Sequence, residues 1–400
     1  MRLTITLNLL YLTFVLNTVS GQANQSLSNL TTPTAINQVL TPNATNTRDL
    51  GTAALNWRSI YLGSRLYLNG SVALYAPGTG NFFIGPNAGN PAVTGESNSS
   101  FGHYALDGVT TGNYNTAIGT RSLNFLSTGN NNTAVGFRSL YKATTAVSNT
   151  ALGNKSMFSN TTGSFNTATG DSSLYANTTG SYNTANGYMA LLKNTTGLYN
   201  TAGGHMALQK NTTAGFNTSY GAFSLYSNTS GFSNTAIGSN ALYSNVTGEA
   251  NTSIGVNALY SNTSGFRNTA TGLFSLYLNQ TGAYNVANGG FALYANSTGY
   301  NNTGTGYGAL YTTSTGSDNV ANGHSAMWYN STGSSNTAVG VSALHYYENE
   351  DNNTAVGFHA GYPRSTGGMN TFIGSEAYPN ADGYSNSSCL LYTSPSPRDS

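Results

Sequence analysis

The sequence predicts an all-β fold, a parallel β-solenoid (β-roll) of about 18 coils with 17 residues in each. Three observations predict it. An asparagine followed four residues later by a glycine recurs every 17 residues, from Asn81/Gly85 to Asn370/Gly374, without insertion or deletion. A period that short cannot bury a core by itself, so each unit must stack on the last. Each unit also carries two glycines and several threonines, which disfavours helix and suits short strands and tight turns. Finally, none of the 9 prolines lies between residues 92 and 362. Proline removes a ladder donor and belongs at the ends of such an array. It is found there, at Pro86, Pro91, Pro363 and Pro379.

The elements follow in order. Residues 1–21 read as a secretory signal peptide: Arg2, an apolar run from Leu3 to Leu16, and Val19-Ser20-Gly21 as the cleavage site. Asn8 interrupts the run, which is too short for a membrane anchor. Residues 22–46 are a Ser/Thr/Asn-rich leader. Residues 47–80 alternate apolar and polar residues around turns, as in Ile60-Tyr61-Leu62 and Arg65-Leu66-Tyr67-Leu68. Two or three capping strands are expected there. The array fills 81–388. Residues 389–400 break the period, and Cys389 to Asp399 resembles the translation of a sequencing-library adapter. The only cysteine falls in that segment, so ladders and not disulfides must hold the array together.

Within the array the unit reads Asn-Thr-Ala-x-Gly-x-x-Ala-Leu-Tyr-x-Asn-Thr-Thr-Gly-x-x. Position 1 asparagines and position 5 glycines, such as Asn115/Gly119, Asn132/Gly136 and Asn234/Gly238, are expected to be ladder and turn residues. Position 3 is small and position 8 is Ala or Ser, while position 9 is Leu or Met from Leu106 to Leu344. Two short strands per coil, joined by two tight turns, would set position 3 against position 9 across a thin interior, as in Ala117 and Leu123. Positive φ is expected at position 5 and in the Asn-Thr-Thr-Gly segment. At ~4.8 Å per coil the rod would be roughly 86 Å long.

Three columns are candidates for function. The position 12 asparagines Asn160, Asn177, Asn194, Asn211, Asn228, Asn245, Asn262, Asn279, Asn296 and Asn330 each begin a glycosylation sequon. Either they carry glycans or Asn-Thr-Thr-Gly is simply a good turn copied by duplication. Further sequons include Asn98, Asn131, Asn217, Asn251, Asn301 and Asn352. The position 10 tyrosines Tyr226, Tyr243, Tyr260, Tyr277, Tyr294 and Tyr311 form an aromatic column, suited if exposed to sugar faces or a partner fibre. Threonines at positions 2, 13 and 14 raise ice binding as a lesser alternative.

Other function classes find little support. Charged residues are 6% of the chain and the net charge is +1, so no basic face exists for nucleic acid. The histidines His103, His205, His324, His345 and His359 are scattered over coils. Glu348, Glu350 and Asp351 form the one acidic cluster and read as a solvated loop sooner than a calcium site. No cysteine-histidine set, phosphate loop or nucleophile elbow occurs. No enzymatic activity, cofactor, metal or membrane span is expected.

The Asn-Thr-Ala-Ile/Val-Gly core, at 115–119, 132–136, 234–238 and 336–340, resembles the head repeats of trimeric autotransporter adhesins. The longer unit resembles the repeats of secreted tail-fibre-like proteins, as does the Trp57-Arg58…Ile60-Tyr61-Leu62 stretch before it. The resemblance covers residues 81–374. It implies a β-roll, often trimeric, used as a stalk or adhesive fibre. Here the coil is longer than in the adhesins, and no coiled-coil stalk accompanies it. The expectation is therefore a secreted or cell-surface structural fibre that associates with itself as a trimer or filament. The alternative is an adhesin or carbohydrate-binding shaft that meets glycans or cell-surface polysaccharide.

Overall fold

A computed structural model describes residues 65–68, 71–362, 367–378 and 385–390. By its contacts the chain divides into residues 1–61 and 62–400. The signal peptide, the leader and most of the 47–64 stretch belong to the first unit, outside the described residues.

The second unit is the predicted solenoid. It opens with an antiparallel hairpin of β1 (Arg65–Leu68) and β2 (Ser71–Tyr75). Strand β2 then pairs antiparallel with β3 (Phe82–Ile84), so the first coil starts against a paired edge. From β3 to β20 (Thr371–Ile373) each coil contributes one three-residue strand at unit positions 2–4. Consecutive strands pair parallel in strict 17-residue register, for example Thr116↔Thr133, Ala117↔Ala134 and Ile118↔Val135. The ladder continues one step further than expected. In β21, Ser388–Leu390 pairs with β20, and Cys389 lies opposite Phe372. The period thus extends two residues past the predicted boundary at 388.

The expected second strand is absent. Positions 6–11 instead form consecutive turns, with positive φ at positions 7 and 9, as at Arg121 (58°) and Leu123 (47°). Position 17 is also left-handed, for instance Asn131 (58°) and Tyr199 (57°). The glycine at position 15 is not, contrary to expectation. These left-handed residues turn successive backbone amides alternately toward the coil before and the coil after. The amide of Arg121 bonds His103 O in the previous coil at 2.9 Å, whereas that of Leu123 bonds Ser139 O in the next at 3.0 Å. The turn side is therefore also hydrogen-bonded between coils, through the amides at positions 7, 9 and 11, while those at 8 and 12 close turns within the coil.

The interior is narrow. In each strand position 3 points inward and is buried, while positions 2 and 4 point out. Ala117 and Leu123 are both fully buried, as are the position 9 residues from Leu106 to Leu344 and the position 3 alanines. The small-against-large pairing read from the sequence is therefore present, although Leu123 reaches the core from a turn. Position 5 explains its glycine directly. At Gly119 φ is 120°, and an added Cβ would lie 2.6 Å from Gly136 O of the next coil.

Candidate functional columns

The position 1 asparagines form a ladder through the interior. Asn115 offers its backbone N–H and its Nδ2 to Asn98 Oδ1, both at 3.0 Å, and donates Nδ2 to Gly129 O of its own coil at 2.9 Å. Asn132 repeats this on Asn115 at 3.0 and 3.1 Å, and Asn234 on Asn217 at 3.0 and 3.3 Å. Each side chain thus ties one coil to the next and closes its own loop. That combination needs a short side chain with both donor and acceptor, which only Asn supplies at this reach.

The position 12 asparagines do the same on the other side of the core, which weighs for the turn alternative over glycan attachment. Asn160, Asn177, Asn194, Asn211, Asn228, Asn245, Asn262, Asn279, Asn296 and Asn330 are all fully buried. From Asn177 to Asn296 each Nδ2 donates to Oδ1 of the previous coil at 2.7–3.0 Å. Each also donates to the carbonyl three residues on, as Asn177 does to Gly180 O at 2.8 Å. A sugar on Nδ2 would replace one of its two N–H donors and needs volume that the closed interior does not have. The duplicated-turn reading is the one the geometry favours. The second ladder has one break: Thr313 replaces asparagine, and Thr313 Oγ1, Asn296 Oδ1 and Asn330 Oδ1 are buried without a partner.

The tyrosine column is half-buried, not free. Tyr226, Tyr243, Tyr260, Tyr277, Tyr294 and Tyr311 stack with centroids 5.0–5.3 Å apart and planes within 23°. The stack runs on through Trp328, His345 and Tyr362. Lys210 Nζ covers its near end, 4.7 Å from the Tyr226 centroid. Each ring face is occupied by the next ring, so the column shows edges to a ligand and cannot offer the flat platform that sugar stacking uses. Burial and then the neighbouring tyrosines push the Tyr243 and Tyr294 hydroxyls above the usual tyrosine range.

Sequence reasoning missed an exposed aromatic rail at position 17. Phe165, Tyr182, Tyr199 and Phe216 stack at 4.9–5.2 Å with planes within 13°, and 48–63% of each is exposed. Most other coils have Ser, Asn or Asp at this left-handed site, Asn and Asp being enriched at positive φ, although Tyr114, Ala250, Arg267, Tyr284 and Met369 also occupy it. Four consecutive aromatics were visible in the sequence, but no rule placed position 17 at a corner.

The threonine columns separate. Position 13 hydroxyls are used within the rod: Thr178 Oγ1 donates to Thr195 O at 3.1 Å, and Thr195 Oγ1 to Thr212 O at 3.0 Å. Position 2 threonines lie on the outer strand face beside position 4. His345 is held apart from the surface histidines. It lies between Trp328 and Tyr362 and meets Ser325 O at 3.1 Å, and burial pushes its pKa below the usual histidine value. Among the described residues no group of three or more His, Cys, Asp or Glu could hold a metal ion, and no helix is long and apolar enough to cross a membrane.

Neither the protein-family models nor the curated proteins compared with the chain gave a match. What is established is the β-solenoid repeat architecture.

Proposed function

We propose that the protein is an extracellular structural fibre subunit that associates with further copies of itself, in the manner of the tail-fibre-like and adhesin-head repeats that its Asn-Thr-Ala-x-Gly core resembles. The observation that carries this reading is the outer strand face. Across the eighteen coils from residue 81 to 374, positions 2 and 4 contain no Asp, Glu, Lys or Arg. Position 2 is mostly threonine. Position 4 exposes Phe101, Ile118, Tyr220, Ile237, Ile254, Val356 and Ile373, each at 40–58%. A face roughly 86 Å long and about 10 Å wide offers on the order of 800 Å² per copy, the size of a standard stable interface. Monomeric proteins rarely leave so long an uncharged strip uncovered. Export rests on the apolar N-terminal leader.

Sedimentation and electron microscopy of the native chain and of Ile237→Lys/Ile254→Lys test the reading. Lysines there would repel across a symmetric contact without touching the core. The native chain is expected to sediment as an oligomer or filament, and the double variant as a folded smaller species. A native monomer at micromolar concentration, or assembly unchanged in the variant, overturns it.

A second reading, an adhesive or carbohydrate-binding shaft, draws on the rail of Phe165, Tyr182, Tyr199 and Phe216, whose ring faces are also taken up by stacking but whose edges are far more exposed than those of the tyrosine column. Retention on a polysaccharide matrix that is lost in Tyr182→Ser/Tyr199→Ser would support it. The water-ordering alternative is left with position 2 and the exposed position 14 threonines such as Thr162, Thr179 and Thr196, because the position 13 hydroxyls are bonded.

A further inference from the structure

The sequons divide into two physical classes. The ten at position 12, with Asn98, Asn217 and Asn251 at position 1, are buried, and their amides are used between coils. A second set lies in the open. Asn131, Asn301, Asn352 and Asn386 occupy position 17, and Asn154 occupies position 6; all five are exposed. Each begins a sequon, completed by Thr133, Thr303, Thr354, Ser388 and Ser156 respectively.

We propose that these five exposed asparagines are the sites at which an N-linked oligosaccharide is attached, and that the position 12 asparagines are not. This rests on the export reading, since the donor is a lipid-diphosphate-linked oligosaccharide met in a secretory compartment. The amide nitrogen attacks the anomeric carbon of the donor. A C–N bond forms, the bond from that carbon to the diphosphate oxygen breaks, and the lipid diphosphate leaves as the amide proton passes to a base. Three features suit the exposed set. Position 17 is a left-handed corner that turns the side chain away from the coil, with φ of 58°, 55°, 62° and 59° at Asn131, Asn301, Asn352 and Asn386. Among the described residues the side-chain bonds that attachment disturbs are surface pairs that water can replace, Asn154 to Asp171 and Asn301 to Asp318, both 2.9 Å. The sites also stand in coils 3, 5, 13, 16 and 18, so no two sugars share the ~4.8 Å step that would crowd glycans on consecutive coils. At position 12 the reverse holds, because a modified amide would lose one of its two buried donors and the sugar could not be enclosed.

The test is to secrete residues 22–400 from animal cells behind an exogenous signal sequence. The β-folded chain is recovered from the medium, and formerly glycosylated asparagines are labelled with peptide N-glycosidase in heavy-oxygen water. Label is expected at Asn131, Asn154, Asn301, Asn352 and Asn386 and at none of the ten position 12 sites. Asn131→Gln and Asn301→Gln should each remove one oligosaccharide mass and leave the other sites unchanged. Folded chain without label at the exposed sites, or with label at Asn211 or its equivalents, overturns the assignment. The same chain behind its own residues 1–21 tests export separately. Its retention in the cell would sink the export reading while the site assignment stood.

Discussion

Coils 2–4 and coils 5–13 share one backbone, one position 1 ladder and one glycine column, yet they fill the second interior site in opposite ways. In coils 2–4 position 12 is Val109, Leu126 and Ala143, all fully buried among the apolar core. In coils 5–13 the same site holds the unbroken asparagine run from Asn160 to Asn296. The fold therefore does not require a polar group at position 12. What it requires is agreement between neighbours, because a buried amide is tolerable only when the coils above and below complete its bonds. An apolar side chain needs no such partner. A solenoid stacked by duplication can change from one solution to the other, but only at a boundary where some polar group goes short. At the C-terminal boundary that group is visible, in the unpartnered Asn296 Oδ1 beside Thr313.

The largest effect should ignore the difference between the two regions. Gly136→Ala lies in the apolar region and Gly221→Ala in the amide region, and both glycines have φ near 130° (131° and 134°). In each, the new Cβ would be driven into backbone of the following coil, 2.6 Å from the carbonyl carbon of Gly153 or Gly238. Strain and overpacking together should cost about 2–4 kcal/mol in either place. Thermal unfolding followed by circular dichroism, with hydrogen exchange to localise the loss, checks this. A variant that melts with the native chain would mean that the position 5 contact is not closed.

Exchanging residues between the regions comes next and tests the comparison directly. Leu126→Asn puts one amide between Val109 and Ala143, where its nitrogen can reach the carbonyl of Gly129 but its oxygen has no donor. About 2–3 kcal/mol should be lost. Asn211→Leu interrupts the amide run and leaves Asn194 Oδ1 without its donor and Asn228 Nδ2 without one of its acceptors, with a loss of similar size. The decisive variant is the triple Val109→Asn/Leu126→Asn/Ala143→Asn. It extends the run down from Asn160, so it should cost less than three times the single change. Strict additivity in denaturant titrations would show that the coupling between coils is weak.

Repairing the break should have a smaller effect, of opposite sign. In Thr313→Asn the new Nδ2 can donate to Asn296 Oδ1 and to the Gly316 carbonyl, and its Oδ1 can accept from Asn330. Satisfying these buried groups should stabilise the chain by about 1–2 kcal/mol. Protection of the amides in coils 13–15 should rise with it. A neutral or destabilised variant would indicate that the site is already served by water.

Much of this architecture was legible in the residues. The 17-residue period, the glycine at position 5 and the small and leucine columns each have one dominant physical cause, and each was found where it was expected. The two-strand coil was not, because Leu at position 9 reads equally well as an inward strand residue and as a left-handed turn residue. A subtler signal was present: no Val, Ile or Thr occurs at positions 7, 9 or 17 in any coil. Branching at Cβ is the feature that positive φ tolerates least, so its absence in three columns marks three left-handed sites. The sequons misled for a related reason. Asn-Thr-Thr is both a glycosylation signal and a buried ladder residue beside two threonines, and only burial separates the two. The aromatic rail, and the exposure that sets Asn131, Asn301 and Asn352 apart from the other sequons, stayed unread until position 17 had been placed at a corner.

The smallest effect concerns the aromatic stack, and it again divides the rod. Coils 9–14 carry tyrosine at position 10 without interruption, whereas coils 2 and 3 carry Asp107 and Asn124 there. Burial and the adjacent hydroxyls raise the pKa of Tyr243 and Tyr294. The folded chain therefore holds these protons at a pH where unfolded tyrosine, with its pKa of about 10, has begun to release them. More protons are bound in the native state over that window, so stability is complete below about pH 10 and falls as pH rises through the raised folded values. Ionised neighbours stacked at 5.0–5.3 Å would also repel along the column. Alkaline unfolding should then begin in coils 9–14, with coils 2–4 lost later. Ultraviolet titration of the phenolates, combined with proteolytic mapping of the first cleavages, reads both halves of the claim. Tyr243→Phe/Tyr294→Phe keeps the stacking but removes two ionisations, and it should move the onset to higher pH. If the onset stays put, or if cleavage starts in coils 2–4, the stack is not what sets the alkaline limit.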